Sequence, residues 1–211
     1  MRILIVGASQ GTGALAVSEA LRRGHAVTAF ARHPERLVLE DPNLTRMSGD
    51  FHDRDSVRNA TLGHDAVIIT ASATKLSAFK ETPDYFSRGT AYVIEAMKEQ
   101  NVQRLVILSA LGTGESVKLI NFVARKLVIG WLLKIPFADH ERQETITRAS
   151  GLEWVIARPG RLTDGPMSKN YKKVSSLEHV PSSISRTSVA DFLVEAAESD
   201  RWLRQSVQLG G

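Results

Sequence analysis

Ile3-Leu4-Ile5-Val6-Gly7-Ala8-Ser9-Gln10-Gly11-Thr12-Gly13 decides the fold, because four successive apolar residues run straight into a glycine turn with an Ala/Leu-rich segment behind it. The order is strand, tight turn, helix N-terminus. Such a turn lets the backbone come close to a pyrophosphate, while the first free N–H groups of the helix and its dipole stabilise the negative charge. Glycines also close ordinary turns, so the trio Gly7, Gly11 and Gly13 gains its specificity for a dinucleotide from the buried strand before it and the helix after it.

Outward from this stretch, strand-like runs alternate with helical patterns: Arg2 to Val6, Ala26 to Ala31, Leu44 to Met47, Asp65 to Ala71, Arg104 to Ser109, Glu153 to Ala157 and Ser206 to Leu209. Several are apolar on successive residues, as in a parallel sheet covered by helices on both faces. The class is α/β, a single Rossmann-type doubly wound parallel sheet, with residues 1–211 forming one domain. The first helix, Gly11 to Arg23, stops at Gly24, and a second, around Pro83 to Gln100, stops near Asn101. Arg161 to Ser185, rich in Gly, Pro, Ser and Lys, reads as irregular loops with one short strand near Asn170 to Val174. Segments near 112–137 and 161–186 are expected on the acceptor side, over the carboxyl ends of the strands.

Composition sets outer bounds. The 211 residues, 43% hydrophobic, are enough to bury a full core. There is no cysteine, which excludes disulfides, thiolate metal sites and cysteine nucleophiles. The six histidines lack a short paired spacing, so no metal is expected, and no G-x-S-x-G elbow marks a hydrolase. A net charge of +4 suits a small anionic ligand and is too mild to argue for nucleic acid. A strand beginning at Arg2 leaves no room for an export leader, which makes a cytoplasmic location the expectation. The apolar run Leu127 to Leu133 is bounded by Arg125, Lys126 and Lys134 and is too short to span a membrane. Within Lys118 to Ile135, apolar residues at helical spacing give a wide face: a core-packing helix, a flap over the site, or a homodimer face.

In order along the chain, GASQGTG, AFARHPERL, GDFHD, ASA, LSALG, ADHERQETITRASGLEWVIARPGRLTDGP and SISRTSVADF resemble the atypical short-chain dehydrogenase/reductases. The nearest likeness is to the NAD(P)H-binding group that includes biliverdin reductase B (flavin reductase) and the NmrA-like proteins. The middle glycine stands one residue later than is usual in the flavin reductases. The resemblance places Ser9, Gln10 and Thr12 at the phosphates and Asp50 and Phe51 at the adenine. It also places Thr70, Ala71 and Ser72 along the ribose side, and Pro159, in Arg158-Pro159-Gly160, beside the nicotinamide. Asp50 as a turn starter and Phe51 as a packing residue are the plainer alternatives.

The residue ending the second strand discriminates between cofactors. An acidic group there accepts from a free 2′-hydroxyl and favours NAD, whereas arginine pairs with a 2′-phosphate. Here it is Arg32, with Arg36 four residues later, so NADP(H) is expected over NAD(H).

The full dehydrogenases of this superfamily use a Tyr-x-x-x-Lys pair, in which lysine lowers the tyrosine pKa. Tyr85, Tyr92 and Tyr171 are followed four residues later by Gly89, Ala96 and Ser175. Hydride transfer to a flat acceptor, a flavin or quinone, makes a weaker demand, because the protein mainly positions two rings. Ser109 matches the family's active-site serine, to bond the nicotinamide or the acceptor, or simply to hold a loop. His140 reads either as a proton donor or as an exposed helix residue. Lys75 is a further cation near the acceptor side. The expected function is an NADPH-dependent reductase of a flat acceptor; the rival is a non-catalytic NADP(H)-binding sensor of the NmrA type.

Overall fold

In the computed structural model, which describes residues 1–72, 78–120, 133–168 and 170–211, the opening apolar run is β1 (Arg2–Val6). Alternation of side chains across a strand sends Ile3 and Ile5 to one face and Leu4 and Val6 to the other, and both faces are covered. All four are buried, each contributing roughly 1.5–3 kcal/mol of hydrophobic stabilisation.

The chain continues through α1 (Gly11–Arg22), β2 (Ala26–Ala31), β3 (Leu44–Ser48), α2 (Arg54–Thr61) and β4 (Ala66–Ile69). One helical turn, α3 (Ala78–Glu81), precedes α4 (Tyr85–Glu99) and β5 (Arg104–Leu108). Then follow α5 (Lys134–Ala149), β6 (Glu153–Pro159), β7 (Arg161–Thr163), β8 (Lys172–Val174), β9 (Ser183–Ser185), α6 (Arg186–Glu198) and β10 (Gln205–Gly210).

The main sheet has the order β3-β2-β1-β4-β5-β6-β10-β8. Neighbours are parallel from β3 to β10, and β8 closes the edge antiparallel to β10. Helices α1 and α6 pack together on one face around Val17, Ala20, Phe192 and Leu193. On the other, α4 lies between α2 and α5 over Leu4, Val67, Ile69 and Leu105. Because β2 and β3 lie on one side of β1, and β4, β5 and β6 on the other, the sheet has a switch point between β1 and β4. A crevice opens there at the carboxyl ends of the strands.

The expected strand and helix ends hold to within about two residues, the usual scatter of such boundaries. Gly24 and Asn101 take the left-handed backbone, φ +83° and +58°, behind the helices they stop. Arg161 to Ser185 is the exception. It holds three short strands rather than one, with β7 and β9 pairing as a separate two-stranded sheet through Leu162 and Ile184. Strands of three residues are too short for periodicity to reveal.

The expected helix from Lys118 to Ile135 falls mostly on residues 121–132, outside the described residues, as does Lys75. Its first residues instead end a 3₁₀ segment, Gly114–Leu119, and its last two open α5. Among the described residues, no helix is long and apolar enough to cross a membrane.

Candidate cofactor site

The glycine turn is built by close approach. Gly7 has φ +86°, and a Cβ there would lie 2.5 Å from the Cα of Ala71, so this position accepts no side chain while β1 and β4 stay in register. A Cβ on Gly13 would sit 2.2 Å from the Gly7 carbonyl oxygen, so the bare Cα is what lets α1 start against the turn. Thr70 reinforces the junction by donating its hydroxyl to the Val6 carbonyl at 2.9 Å.

Gln10 caps α1 without a side-chain hydrogen bond, and no acidic residue stands in the first turn. The leading N–H groups and the positive end of the helix dipole are therefore left for an anion. Above them is a cleft of about 520 Å³, within the usual range for small-molecule sites.

Gly7, Ser9, Gln10, Gly11, Thr12, Arg32, Arg36, Asp50, Phe51, Thr70, Ala71 and Ser72 all line this cleft. Four other expected site residues, Gly13, Ser109, His140 and Pro159, do not. Arg32 and Arg36 have no ion-pair partner among the described residues, since Glu35 faces His33 instead, at 3.2 Å. Asp50 also shapes a turn, accepting from the His52 backbone N–H at 2.9 Å, and Phe51 packs so closely over Gly89 that a Cβ there would meet its ring at 2.3 Å. Both therefore have structural work as well as a place in the lining.

Ser109 follows β5 directly and donates its hydroxyl to Glu144 Oε1 at 2.7 Å. Glu144 is 1% exposed and Arg158, on β6, is 0% exposed. Arg158 Nε and Nη2 donate to the Glu144 carboxylate at 2.9 and 2.5 Å. Its Nη1 reaches Glu115 at 2.8 Å, and Arg148 adds a contact to Glu144 at 3.1 Å. Pairing with Arg158 holds the Glu115 carboxyl down at about 2. Ser109 is thus anchored to a buried ionic network that ties β5, α5 and β6 together.

His140 lies on α5, its ring stacked on Phe86 at 3.9 Å with Nδ1 3.0 Å from Gln143 Oε1. Burial holds its pKa below the ordinary 6.5, so the imidazole is neutral at pH 7. The adjacent Asp139, fully buried, accepts from the Phe86 and Ser87 backbone N–H groups at 2.6 and 3.3 Å, and so caps α4 from the neighbouring helix.

Among the residues that sequence reasoning did not assign to the cleft, Tyr85 lines it beside Phe51, and Leu108, Leu162, Asp164 and Arg186 line its far end. Burial pushes the Tyr85 phenol up, the reverse of what an activated tyrosine needs. Tyr171 donates to Asp191 at 2.6 Å and is likewise raised, by burial first and then by this carboxylate. Arg186 stands in the run SISRTSVADF, where it is the first residue of α6, so a cation at a helix start was visible. Glu144 carried no local signal, being 35 residues from its partner Ser109.

The residues present fit a dinucleotide: a glycine cradle that a Cβ would fill, an uncapped helix start, and two guanidinium groups in the lining that have no ion-pair partner among the described residues. Comparison with known proteins agrees. A family described as NAD(P)H-binding matches residues 7–200. The chloroplastic protein At2g34460 of Arabidopsis thaliana is 26% identical over 208 residues, covering 92% of this chain and 71% of that protein. Among solved structures, the anaerobillin reductase ChuY of Escherichia coli O157:H7 superposes with a TM-score of 0.81 at 22% identity, covering 100% of this chain and 97% of that one. A short-chain dehydrogenase/reductase from Veillonella parvula, in complex with NADP, gives 0.82 at 17% identity, covering 100% and 94%. At such identities these structures speak for the fold. With the match extending over nearly its whole length, the chain belongs to the NAD(P)H-binding family and carries its Rossmann fold.

Proposed function

We propose that the protein is an NADPH-dependent reductase that delivers hydride to a flat acceptor such as a flavin or quinone. One observation carries this reading. The cleft joins guanidinium groups with no ion-pair partner among the described residues, at its β2 end, to two apolar residues, Leu108 ending β5 and Leu162 on β7, and the tyrosine that lines it is not an activated one.

The turn and the start of α1 hold the pyrophosphate, and Arg32 and Arg36 pair with the 2′-phosphate, which selects NADP(H) over NAD(H). Bound NADPH would supply the hydride. Leu108 and Leu162 offer a surface for stacked rings, aligning them and excluding water from between them. Ser109, buried behind the lining, donates a hydrogen bond to Glu144 and so holds the end of β5, which carries Leu108 into the cleft. Protonation of the reduced acceptor is left to water, because His140 is neutral and packed against Phe86 away from the cleft lining.

The missing tyrosine–lysine pair also favours a second reading, a cofactor-binding sensor without turnover. Steady-state oxidation of NADPH and NADH with FMN, riboflavin and a benzoquinone separates the two. Turnover with a preference for NADPH supports the reductase; tight NADPH binding with no turnover of any acceptor supports the sensor.

A further inference from the structure

We propose that Arg186 and Asp164 form an acid-binding subsite at the acceptor end of the cleft, so that the preferred acceptor is a planar conjugated ring bearing a phosphate or carboxylate. The inference rests on the reductase reading and adds the chemical class of its acceptor.

The two residues are brought together by the small second sheet. Thr163, the last residue of β7, pairs with Ser185, the last of β9, so the residues that follow the two parallel strands, Asp164 and Arg186, emerge side by side. Arg186 Nη1 donates to Asp164 Oδ1 at 2.6 Å, and Thr187 fixes the loop by donating its hydroxyl to the Gly165 carbonyl at 2.8 Å. Both Arg186 and Asp164 line the cleft with Leu108 and Leu162.

Their position assigns the subsite to the acceptor rather than to the 2′-phosphate. Arg32 and Arg36 follow β2, whereas Leu108 ends β5, three strand spacings away, about 14 Å. The pyrophosphate between them is already served by the glycine turn and the uncapped start of α1. A cation beside an apolar wall therefore serves the acid group of a molecule whose ring lies on that wall.

The pair is also exchangeable. The Asp164 side chain is 93% exposed and that of Arg186 31%, and ion pairs so open to solvent contribute little. A phosphate or carboxylate entering the cleft can take the guanidinium from Asp164, which swings into solvent, and gain two parallel N–H···O bonds. Asp164 then acts as a placeholder that keeps Arg186 oriented while the subsite is empty.

FMN and riboflavin share one ring system and differ by a phosphate, which makes them the probes. The wild-type KM for FMN is expected about tenfold or more below that for riboflavin, the factor one charge-assisted contact supplies. Arg186→Gln raises the FMN value to that of riboflavin, Arg186→Lys restores part of the difference, and Asp164→Asn lowers the FMN value by removing the competing carboxylate. Two outcomes overturn the proposal: equal wild-type KM values for the two flavins, or an Arg186→Gln protein whose NADPH affinity, titrated without acceptor, falls as far as its FMN affinity. The latter would assign Arg186 to the cofactor. If none of FMN, riboflavin and the benzoquinone turns over, the reductase reading fails by itself. The subsite is then judged by equilibrium binding of FMN and riboflavin to NADP⁺-saturated protein, where an FMN preference lost in Arg186→Gln sustains it and equal binding refutes it.

Discussion

Replacing Glu144 by leucine removes the centre of the ionic network while roughly conserving volume. Among the described residues, Arg158, with no exposed surface, then keeps only the half-exposed Glu115 as a carboxylate partner, and Ser109 loses its acceptor. Breaking a buried pair from one side costs about 3–5 kcal/mol. Because Glu115 still holds one edge of the guanidinium, the lower end applies, about 3 kcal/mol. In a chain of this size each kcal/mol moves Tm by about 2–4 °C, so Glu144→Leu should lower it by about 6–12 °C. The double variant Glu144→Leu/Arg158→Met removes both charges and should recover most of that loss, since an apolar replacement of a buried pair is often neutral. Thermal unfolding of wild type, both single variants and the double variant, followed by circular dichroism, gives the coupling directly. A Glu144→Leu shift below about 2 °C, or a double variant as destabilised as the sum of the singles, would show that the network is not the clamp described here.

Gly13→Ala should unfold at markedly lower temperature and bind no NADPH, because its Cβ falls 2.2 Å from the Gly7 carbonyl; Gly11→Ala, with nothing within 4 Å but a left-handed backbone of φ +57°, should melt slightly earlier, remain folded and lose cofactor affinity, and equal melting of the two variants would contradict this. Arg32→Ala and Arg36→Ala should each weaken NADPH binding about tenfold at low salt and leave NADH binding nearly unchanged, as isothermal titration would show. Folded-state pKa values depressed below the unfolded ones, as for His140 and Glu115, give stability that is complete above the unfolded values, 6.5 and 4.5, and lost as pH falls through the folded ones. Tm should therefore decline gently below pH 6.5 and more steeply from pH 4.5 toward 2, and Glu115→Gln should flatten the acid limb; an unchanged limb would contradict the pairing with Arg158. His140→Ala should reduce flavin turnover far less than the ~10²–10⁴-fold expected on losing an essential acid, and a loss in that range would make it the proton donor.

Much of this was legible in the sequence for reasons that are local. The strands β1 and β4 are apolar on consecutive residues because both faces are covered, and that pattern needs no partner to be read. The turn from Gly7 to Gly13 combines its steric demand with its position between strand and helix. Arg32 stands out because it follows the second strand directly, and the structure places it in the lining of the cleft. What escaped depends on distance in sequence or on brevity. Asp164 meets Arg186 only because β7 and β9, three residues each, pair across nineteen intervening positions. Glu144 shows no periodicity that distinguishes it from the other polar residues of α5. His140, drawn toward chemistry by its type, is held instead by a ring stack with Phe86, which lies 54 positions earlier in the chain.

The central claim is hydride transfer from bound NADPH to a flat acceptor aligned in the cleft. It is tested most directly by mixing NADPH-loaded protein anaerobically with one equivalent of FMN and following both absorbances in a single turnover. The account predicts that NADPH and oxidised flavin disappear together, at one rate, in the presence of protein and not in its absence. NADPH that stays bound and unoxidised while FMN remains oxidised would contradict it.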